Sequence, residues 1–135
     1  MLSPQLRRLG LATILLGAAT PGLASAAQPA AVEPPVFAAF GNTVVTTYPD
    51  GRTQQIWLHP DGAWAGLSRT HRELTGTWTL KGDRVCMRQK TPPTLPFSYC
   101  TAFPQDARVG AAWASKDFAG TPIRLKLVRG VQTES

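Results

Sequence analysis

Residues 76–100, GTWTLKGDRVCMRQKTPPTLPFSYC, carry the strongest structural signals in the chain. An alternating run ends at Leu80, a Lys-Gly-Asp turn follows at residues 81–83, and a second run leads through Cys86. After a proline-rich loop, a third run contains Cys100. Alternating runs separated by glycine and proline predict consecutive antiparallel strands, so this stretch points to an all-β fold.

Strand signals of the same kind continue on both sides of this stretch. Pro-Asp-Gly triplets at residues 49–51 and 60–62 have the chemistry of tight turns and leave no room for a helix between them. In all, eight runs are predicted to be strands, at residues 42–48, 52–58, 63–69, 74–80, 84–89, 97–103, 111–117 and 121–128. We expect an antiparallel up-and-down meander that closes into a small barrel, with a β-sandwich as the alternative.

The N-terminal part of the chain has the composition of an export signal followed by a linker. Residues 1–26 combine two arginines, an apolar run and an Ala-Ser-Ala end, which predicts a signal peptide cleaved after Ala26. Residues 27–39 are rich in alanine and proline and are predicted to be a flexible, disordered linker. A single β domain is assigned to residues 40–130 and a tail to residues 131–135.

Composition narrows the possible environments and partners. Hydrophobic residues make up 43% and charged residues 16% of the chain, which is typical of a folded domain. Without the two arginines of the signal peptide, twelve basic and eight acidic side chains leave a net charge of +4. The basic residues are dispersed, so nucleic acid is not an expected partner. We predict a periplasmic or secreted protein that does not span the membrane after signal cleavage.

The two cysteines are most simply a disulfide in an exported protein. Placing Cys86 opposite Cys100 also pairs Met87 with Tyr99, which gives the hairpin one consistent register and an apolar inner face. The bond would close a loop of about 15 residues and contribute roughly 3 kcal/mol. Redox activity usually needs a close C-x-x-C pair, so a structural role is preferred.

The Gly76-Thr77-Trp78 triplet is similar to the G-x-W signature of lipocalins, in which the tryptophan closes one end of a β-barrel. Here it falls on the fourth predicted strand, whereas lipocalins carry it on the first. Together with the signal peptide, the Pro-Asp-Gly turns, the GD-x-x-C motif and the second cysteine, it resembles small secreted proteobacterial proteins of unassigned function. The likeness covers roughly residues 42–103 and implies a periplasmic barrel, without an activity.

The sequence contains no recognisable catalytic or metal-binding constellation. A zinc site would need His59, Asp61, His71 and Glu73 to converge, and Arg72 beside them opposes cation binding. Nucleophile elbows and glycine-rich phosphate loops are absent from the sequence. We therefore predict no catalytic residue, no cofactor and no metal.

Two groups of side chains are candidates for binding. Basic residues of two predicted strands point away from the core and form a possible anion-binding face, which Arg69 and Lys90 would extend. The residues of this face are Arg84, Arg88, Arg124 and Lys126. Trp57 lies on the opposite face from Ile56 and Leu58 and is a possible aromatic contact for a ligand. Trp78, by contrast, is predicted to lie in the core.

These features favour a non-catalytic binding module or inhibitor in the cell envelope. Its partner would be an anionic envelope polymer, an apolar small molecule or another protein. The alternative is a structural or stress-related envelope protein with no small ligand. A hollow barrel would favour the first hypothesis and a filled barrel the second.

Overall fold

The computed structural model describes residues 17–18, 33–94 and 98–131. The chain divides into two units, Met1–Ala31 and Val32–Ser135. In the first unit only Gly17 and Ala18 are described, and both are exposed. The predicted signal peptide therefore lies almost entirely outside the described residues, as does the predicted tail beyond residue 131.

The described part of the second unit contains one short helix and eight strands. The helix is of the 3-10 type and spans Pro35–Ala39. The strands are β1 (Thr43–Thr47), β2 (Thr53–Leu58), β3 (Ala63–Leu67), β4 (Glu73–Lys81), β5 (Arg84–Thr91), β6 (Tyr99–Ala102), β7 (Ala112–Lys116) and β8 (Pro122–Val128). They are the eight predicted strands, with ends that differ by no more than two residues.

All eight strands belong to one antiparallel sheet in the order β6-β5-β4-β3-β2-β1-β8-β7. Strands β1 to β6 each pair with their sequence neighbours, and β8 returns to pair with β1, so that Val44 lies opposite both Ile56 and Leu127. The predicted meander is confirmed, and the single sheet forms a nearly closed barrel instead of a sandwich.

The barrel is completed at the interface between β6 and β7, which we call the seam. The described residues form no backbone ladder there, because β6 and β7 are the two edges of the sheet. Side chains join the edges through three pairs: the Tyr99 hydroxyl donates to the Lys116 carbonyl, the Thr101 and Ser115 hydroxyls lie 3.2 Å apart, and the ring centroids of Phe103 and Trp113 lie 5.2 Å apart. The seam is therefore closed by packing and side-chain hydrogen bonds.

Alternation along the strands decides which residues fill the interior. In β8, Ile123, Leu125 and Leu127 are buried while Arg124 and Lys126 are exposed, as the period of two predicts. Other buried apolar residues come from five further strands, from the end of β6 and from the helix: Val44, Ile56, Leu58, Trp64, Leu74, Trp78, Val85, Phe103, Val36 and Ala39.

The 3-10 helix corrects the predicted domain boundary. Pro35–Ala39 falls within the stretch assigned to a flexible linker, yet Val36 is 1% and Ala39 0% exposed. Proline suits the first turn of a helix because that position needs no amide hydrogen bond. The segment is ordered because two of its small apolar side chains reach the barrel core. The folded domain therefore begins before Phe40.

The connections between the strands gather at two ends of the barrel. Because consecutive strands are antiparallel, the β1–β2, β3–β4, β5–β6 and β7–β8 connections lie at the same end, which we call the open end. The other connections lie at the opposite end, which we call the closed end. Both the 3-10 helix and the last residues of β8 belong to the closed end, because β1 starts there.

The predicted disulfide joins Cys86 to Cys100 across the β5–β6 ladder. Their Cα atoms are 4.0 Å apart, and the next pair in the register is Met87 opposite Tyr99, as the sequence predicts. The described part of the chain has no free cysteine. A disulfide fits an oxidising extracellular compartment.

Replacing both cysteines by serine should lower the free energy of unfolding by about 3 kcal/mol, since the bond restricts a loop of about 15 residues in the unfolded chain. Urea denaturation followed by circular dichroism measures this loss, and the β signature should persist at low urea. Wild-type protein treated with reductant serves as the control and should shift to the same midpoint. An unchanged midpoint in both samples would contradict a stabilising disulfide.

Candidate ligand cavity

The barrel interior holds a cavity of about 660 Å³. Its volume lies in the range of roughly 300–1,000 Å³ that is usual for small-molecule sites. The wall is mainly apolar and is formed by Val44, Ile56, Leu58, Trp64, Met87, Phe103, Ile123 and Leu125. Pro93 and Phe118, from two connections at the open end, also line it. The cavity therefore extends from the core to the open end.

Polar side chains interrupt this apolar wall at several points. They are Thr46, Tyr48, Gln54, Gln89, Thr94, Tyr99, Thr101 and Asp117. The Gln89 amide is held in place, because its Nε2 donates to the Pro92 carbonyl at 2.7 Å. Hydroxyl and amide groups such as these can orient a ligand through hydrogen bonds even when the ligand is uncharged.

The cavity is open partly because Trp64 lies along the wall of the barrel instead of across it. Its indole Nε1 donates to the backbone carbonyls of Thr77 at 3.1 Å and Arg88 at 3.3 Å. The ring covers the backbone of Gly76, where an added Cβ atom would lie only 2.6 Å from Trp64 Cε2. Because Gly76 on β4 has no side chain, the Trp64 ring from β3 can lie against its backbone, and the centre of the barrel stays unfilled.

The closed end is plugged by Trp78, which is 8% exposed. Its indole Nε1 donates to the His59 carbonyl at 2.8 Å, and its ring centroid lies 5.7 Å from that of Phe40. The predicted core position of Trp78 is therefore confirmed. Trp78 is not among the residues that line the cavity, so the cavity ends between Trp78 and the open end of the barrel.

The open end brings aromatic and charged side chains together. The Arg69 guanidinium carbon lies 4.0 Å from the centroid of the Tyr48 ring, a cation–π contact. Burial raises the pKa of Tyr48 above its ordinary value; Arg69 opposes the shift, and Asp117 and Tyr99 add to it. The Tyr48 hydroxyl therefore stays protonated over a wider pH range than an ordinary tyrosine, and as a lining residue it can donate a hydrogen bond into the cavity.

Asp117 is positioned by its own turn. Its Oδ1 accepts hydrogen bonds from the backbone amides of Ala119 at 2.9 Å and Thr121 at 2.8 Å. These bonds fix the β7–β8 turn, on which the Phe118 side chain is 74% exposed. The carboxylate is thus partly engaged within the protein.

The four basic residues of the predicted anion-binding face are all exposed on the outside of the barrel. Arg84 and Arg88 lie on β5, whereas Arg124 and Lys126 lie on β8. Strands β6 and β7 and the seam lie between the two pairs. The residues therefore form two separate pairs, and binding of an anion by either pair stays a prediction.

Trp57 lies on the outer face and takes no part in the cavity. Its indole Nε1 donates to Thr43 Oγ1 at 2.9 Å, and that hydroxyl donates to the Gly130 carbonyl at 2.7 Å. The half-buried ring therefore ties β2 to the end of the domain, a structural role. Its use as an aromatic contact stays a prediction.

The two histidines lie at opposite ends of the barrel. His59 belongs to the β2–β3 connection at the closed end, and His71 to the β3–β4 connection at the open end. One histidine precedes strand β3 and the other follows it, so the length of the strand keeps the two side chains apart. Within the described ranges, no three His, Cys, Asp or Glu side chains are grouped so that they could hold a metal ion.

Sequence reasoning placed Tyr99 on the inner face of its hairpin but missed the other polar residues of the cavity. Thr46 and Gln54 are in phase with Val44 and Ile56, so the period of two already places their side chains inside the barrel. A polar residue at an inward position of a strand was the available signal for a lined cavity. Tyr48, at the end of the predicted strand 42–48, continues the same phase, whereas Phe118 lies on a turn and has no such periodic signal.

No helix in the described part of the chain is both long and apolar enough to cross a bilayer. Comparison of the chain with family models, with curated proteins and with solved structures gave no match. The fold and the site together define a small up-and-down β-barrel with a ligand-sized cavity that opens at one end.

Proposed function

We propose that this protein is a non-catalytic binding protein of the cell envelope that holds one small, mostly apolar molecule inside its barrel. The cavity of about 660 Å³ carries this proposal, because an apolar wall with a few hydrogen-bonding groups is the usual composition of a small-molecule site. Of the three partners considered from the sequence, it favours the apolar small molecule. A structural envelope protein without a ligand would be better served by a filled interior.

The ligand is uncharged. Among the described residues that line the cavity none is basic, so an anionic group inside it would lack a counter-charge. Asp117, the one carboxylate among the described lining residues, already accepts two backbone hydrogen bonds. Neutral hydroxyl, carbonyl or amide groups of a ligand would instead meet the side chains of Tyr48 and Gln54. The expected ligand class is an apolar molecule with a few neutral polar groups.

The predicted signal peptide and the disulfide support placing this protein in the periplasm or outside the cell. A binding protein in that compartment takes up or shields apolar molecules that are poorly soluble in water. No step of bond making or breaking is needed for such a role.

The test is titration of the mature protein with a neutral fluorescent probe, N-phenyl-1-naphthylamine. Wild type should show saturable binding with one probe per protein. Thr46→Trp places a bulky ring in the cavity and should weaken binding at least about tenfold. Thr47→Trp is the matched control, because Thr47 is exposed on the outer face of the same strand, and it should bind like wild type.

Equal probe binding by Thr46→Trp and Thr47→Trp, or no saturable binding by wild type, would contradict the proposal. If Thr46→Trp does not fold, Met87→Trp fills the same cavity from β5 and replaces it. An anionic naphthalene sulfonate probe should bind more weakly than the neutral one, which tests the absence of a basic lining residue among those described.

A further inference from the structure

Charged side chains are distributed unevenly between the two ends of the barrel. The connections at the open end, with two strand residues on each side, carry five described basic residues and three acidic ones. They are Arg52, Arg69, Arg72, Lys90 and Lys116, against Asp50, Glu73 and Asp117. The closed end, counted in the same way with the described terminal segments, carries four of each: Lys81, Arg84, Arg108 and Arg129, against Glu33, Asp61, Asp83 and Asp106.

Two of the three acidic groups at the open end are engaged within the protein. Asp50 lies 3.8 Å from the Arg52 side chain and accepts a hydrogen bond from the Arg52 amide. Asp117 accepts the amides of its own turn. The basic side chains of Lys90 and Lys116 are exposed. The open end therefore presents a net positive rim, whereas the closed end is neutral.

A large apolar side chain projects from the same rim. Phe118 is 74% exposed, more than any other described large hydrophobic residue. It stands on a turn that is fixed by the hydrogen bonds of Asp117, and it lines the opening of the cavity. An exposed aromatic ring next to cations suits the headgroup region of a bilayer, where the ring meets acyl chains and the cations meet phosphates.

We propose that the open end of the barrel docks reversibly on the surface of an anionic phospholipid bilayer. Phe118 enters the headgroup region, and the basic side chains of the rim, including Lys90 and Lys116, contact lipid phosphates. A soluble anionic polymer would contact the cations alone, whereas a bilayer also accepts an exposed aromatic ring such as that of Phe118. One ring and a modest net charge give weak binding, as suits a protein that leaves the membrane again.

This docking surface goes beyond the proposed cavity ligand and does not depend on it. The two are compatible because the cavity opens at the same end, so an apolar molecule could pass between bilayer and barrel without crossing water. A closed-end docking surface would point the cavity away from the membrane.

The test is co-sedimentation of the mature protein with vesicles. Wild type should bind vesicles that contain phosphatidylglycerol more strongly than vesicles of phosphatidylcholine alone, and added salt should release it. Phe118→Ser should weaken binding about fivefold, and Lys90→Gln/Lys116→Gln about tenfold or more. The matched controls at the closed end, Phe37→Ser and Lys81→Gln/Arg108→Gln, should bind like wild type.

The proposal is overturned if wild type shows no preference for anionic vesicles, or if the closed-end variants lose as much binding as the open-end ones. A second arm replaces the vesicles by a soluble anionic glycan. If the protein binds the glycan, and this binding depends on the two lysines and not on Phe118, the membrane proposal is also overturned, and an anionic polymer is the partner instead. Thr46→Trp, which fills the cavity, should bind vesicles like wild type, so failure of the cavity proposal and of this one are distinguishable.

Discussion

Replacing Trp78 by alanine should lower the free energy of unfolding by about 3–5 kcal/mol, the usual cost of deleting a large core aromatic side chain. Trp78 is 8% exposed and plugs the closed end of the barrel against Phe40. Its removal leaves a hole beside Phe40 and deprives the His59 carbonyl of the indole hydrogen bond. Alanine cannot replace either the packing or the donor.

Urea denaturation followed by circular dichroism measures this effect. Thr79→Ala, one residue further along β4 and exposed on the outer face, is the matched control and should change stability by no more than about 0.5 kcal/mol. A loss below about 1 kcal/mol for Trp78→Ala would show that the tryptophan does not hold the closed end together.

Gly76→Val should destabilise the barrel by at least about 3 kcal/mol, at or beyond the upper end of ordinary overpacking. A side chain at Gly76 would overlap the Arg88 carbonyl oxygen of the paired strand and the indole of Trp64. The carbonyl belongs to the backbone, so it can move only if the β4–β5 ladder shifts. The indole can move only by losing its two hydrogen bonds and turning into the cavity.

The same variant tests how the cavity is formed. Any folded Gly76→Val protein should bind the neutral naphthylamine probe more weakly, because the displaced Trp64 ring occupies ligand space. Thr75→Val, an exposed neighbour on β4, should retain both stability and probe binding. Wild-type stability in Gly76→Val would mean that Trp64 does not depend on the glycine for its place.

The strands and part of their register could be predicted because they depend on residues that are close together in the sequence. In β8 every second residue is apolar, and the Pro-Asp-Gly turns mark where β1 and β2 end. The register of the β5–β6 hairpin could be predicted from the sequence, because the disulfide between Cys86 and Cys100 and the apolar inner face require the same alignment.

The 3-10 helix and the cavity could not be predicted in this way. Pro35–Ala39 is too short to show a helical period, and its order comes from packing against strands far away in the sequence. The space inside the barrel depends on how far each inward side chain reaches. Trp64 would be expected to fill the centre, and only its contact with Gly76 on the neighbouring strand explains why it does not.

The pairing of β1 with β8 makes the order of the strands in the sheet differ from their order along the chain. It brings the two ends of the domain together, where the Gly130 amide donates to Asn42 Oδ1 at 3.0 Å. The connection at residues 103–111, by contrast, crosses the seam, where the described strands have no ladder. Within the sheet the strands follow the order of a simple meander that starts at β7, whereas β1 is the first of the described strands along the chain.

This strand order concentrates the entropic cost of loop closure in a single strand pairing, that of β1 with β8. The ladders within β1 to β6, and that between β7 and β8, join sequence neighbours and close short loops. The ladder between β1 and β8 must close a loop of roughly 80 residues, as the pairing of Val44 with Leu127 requires. Contacts between residues this far apart in the sequence raise the contact order, which slows folding of the whole domain.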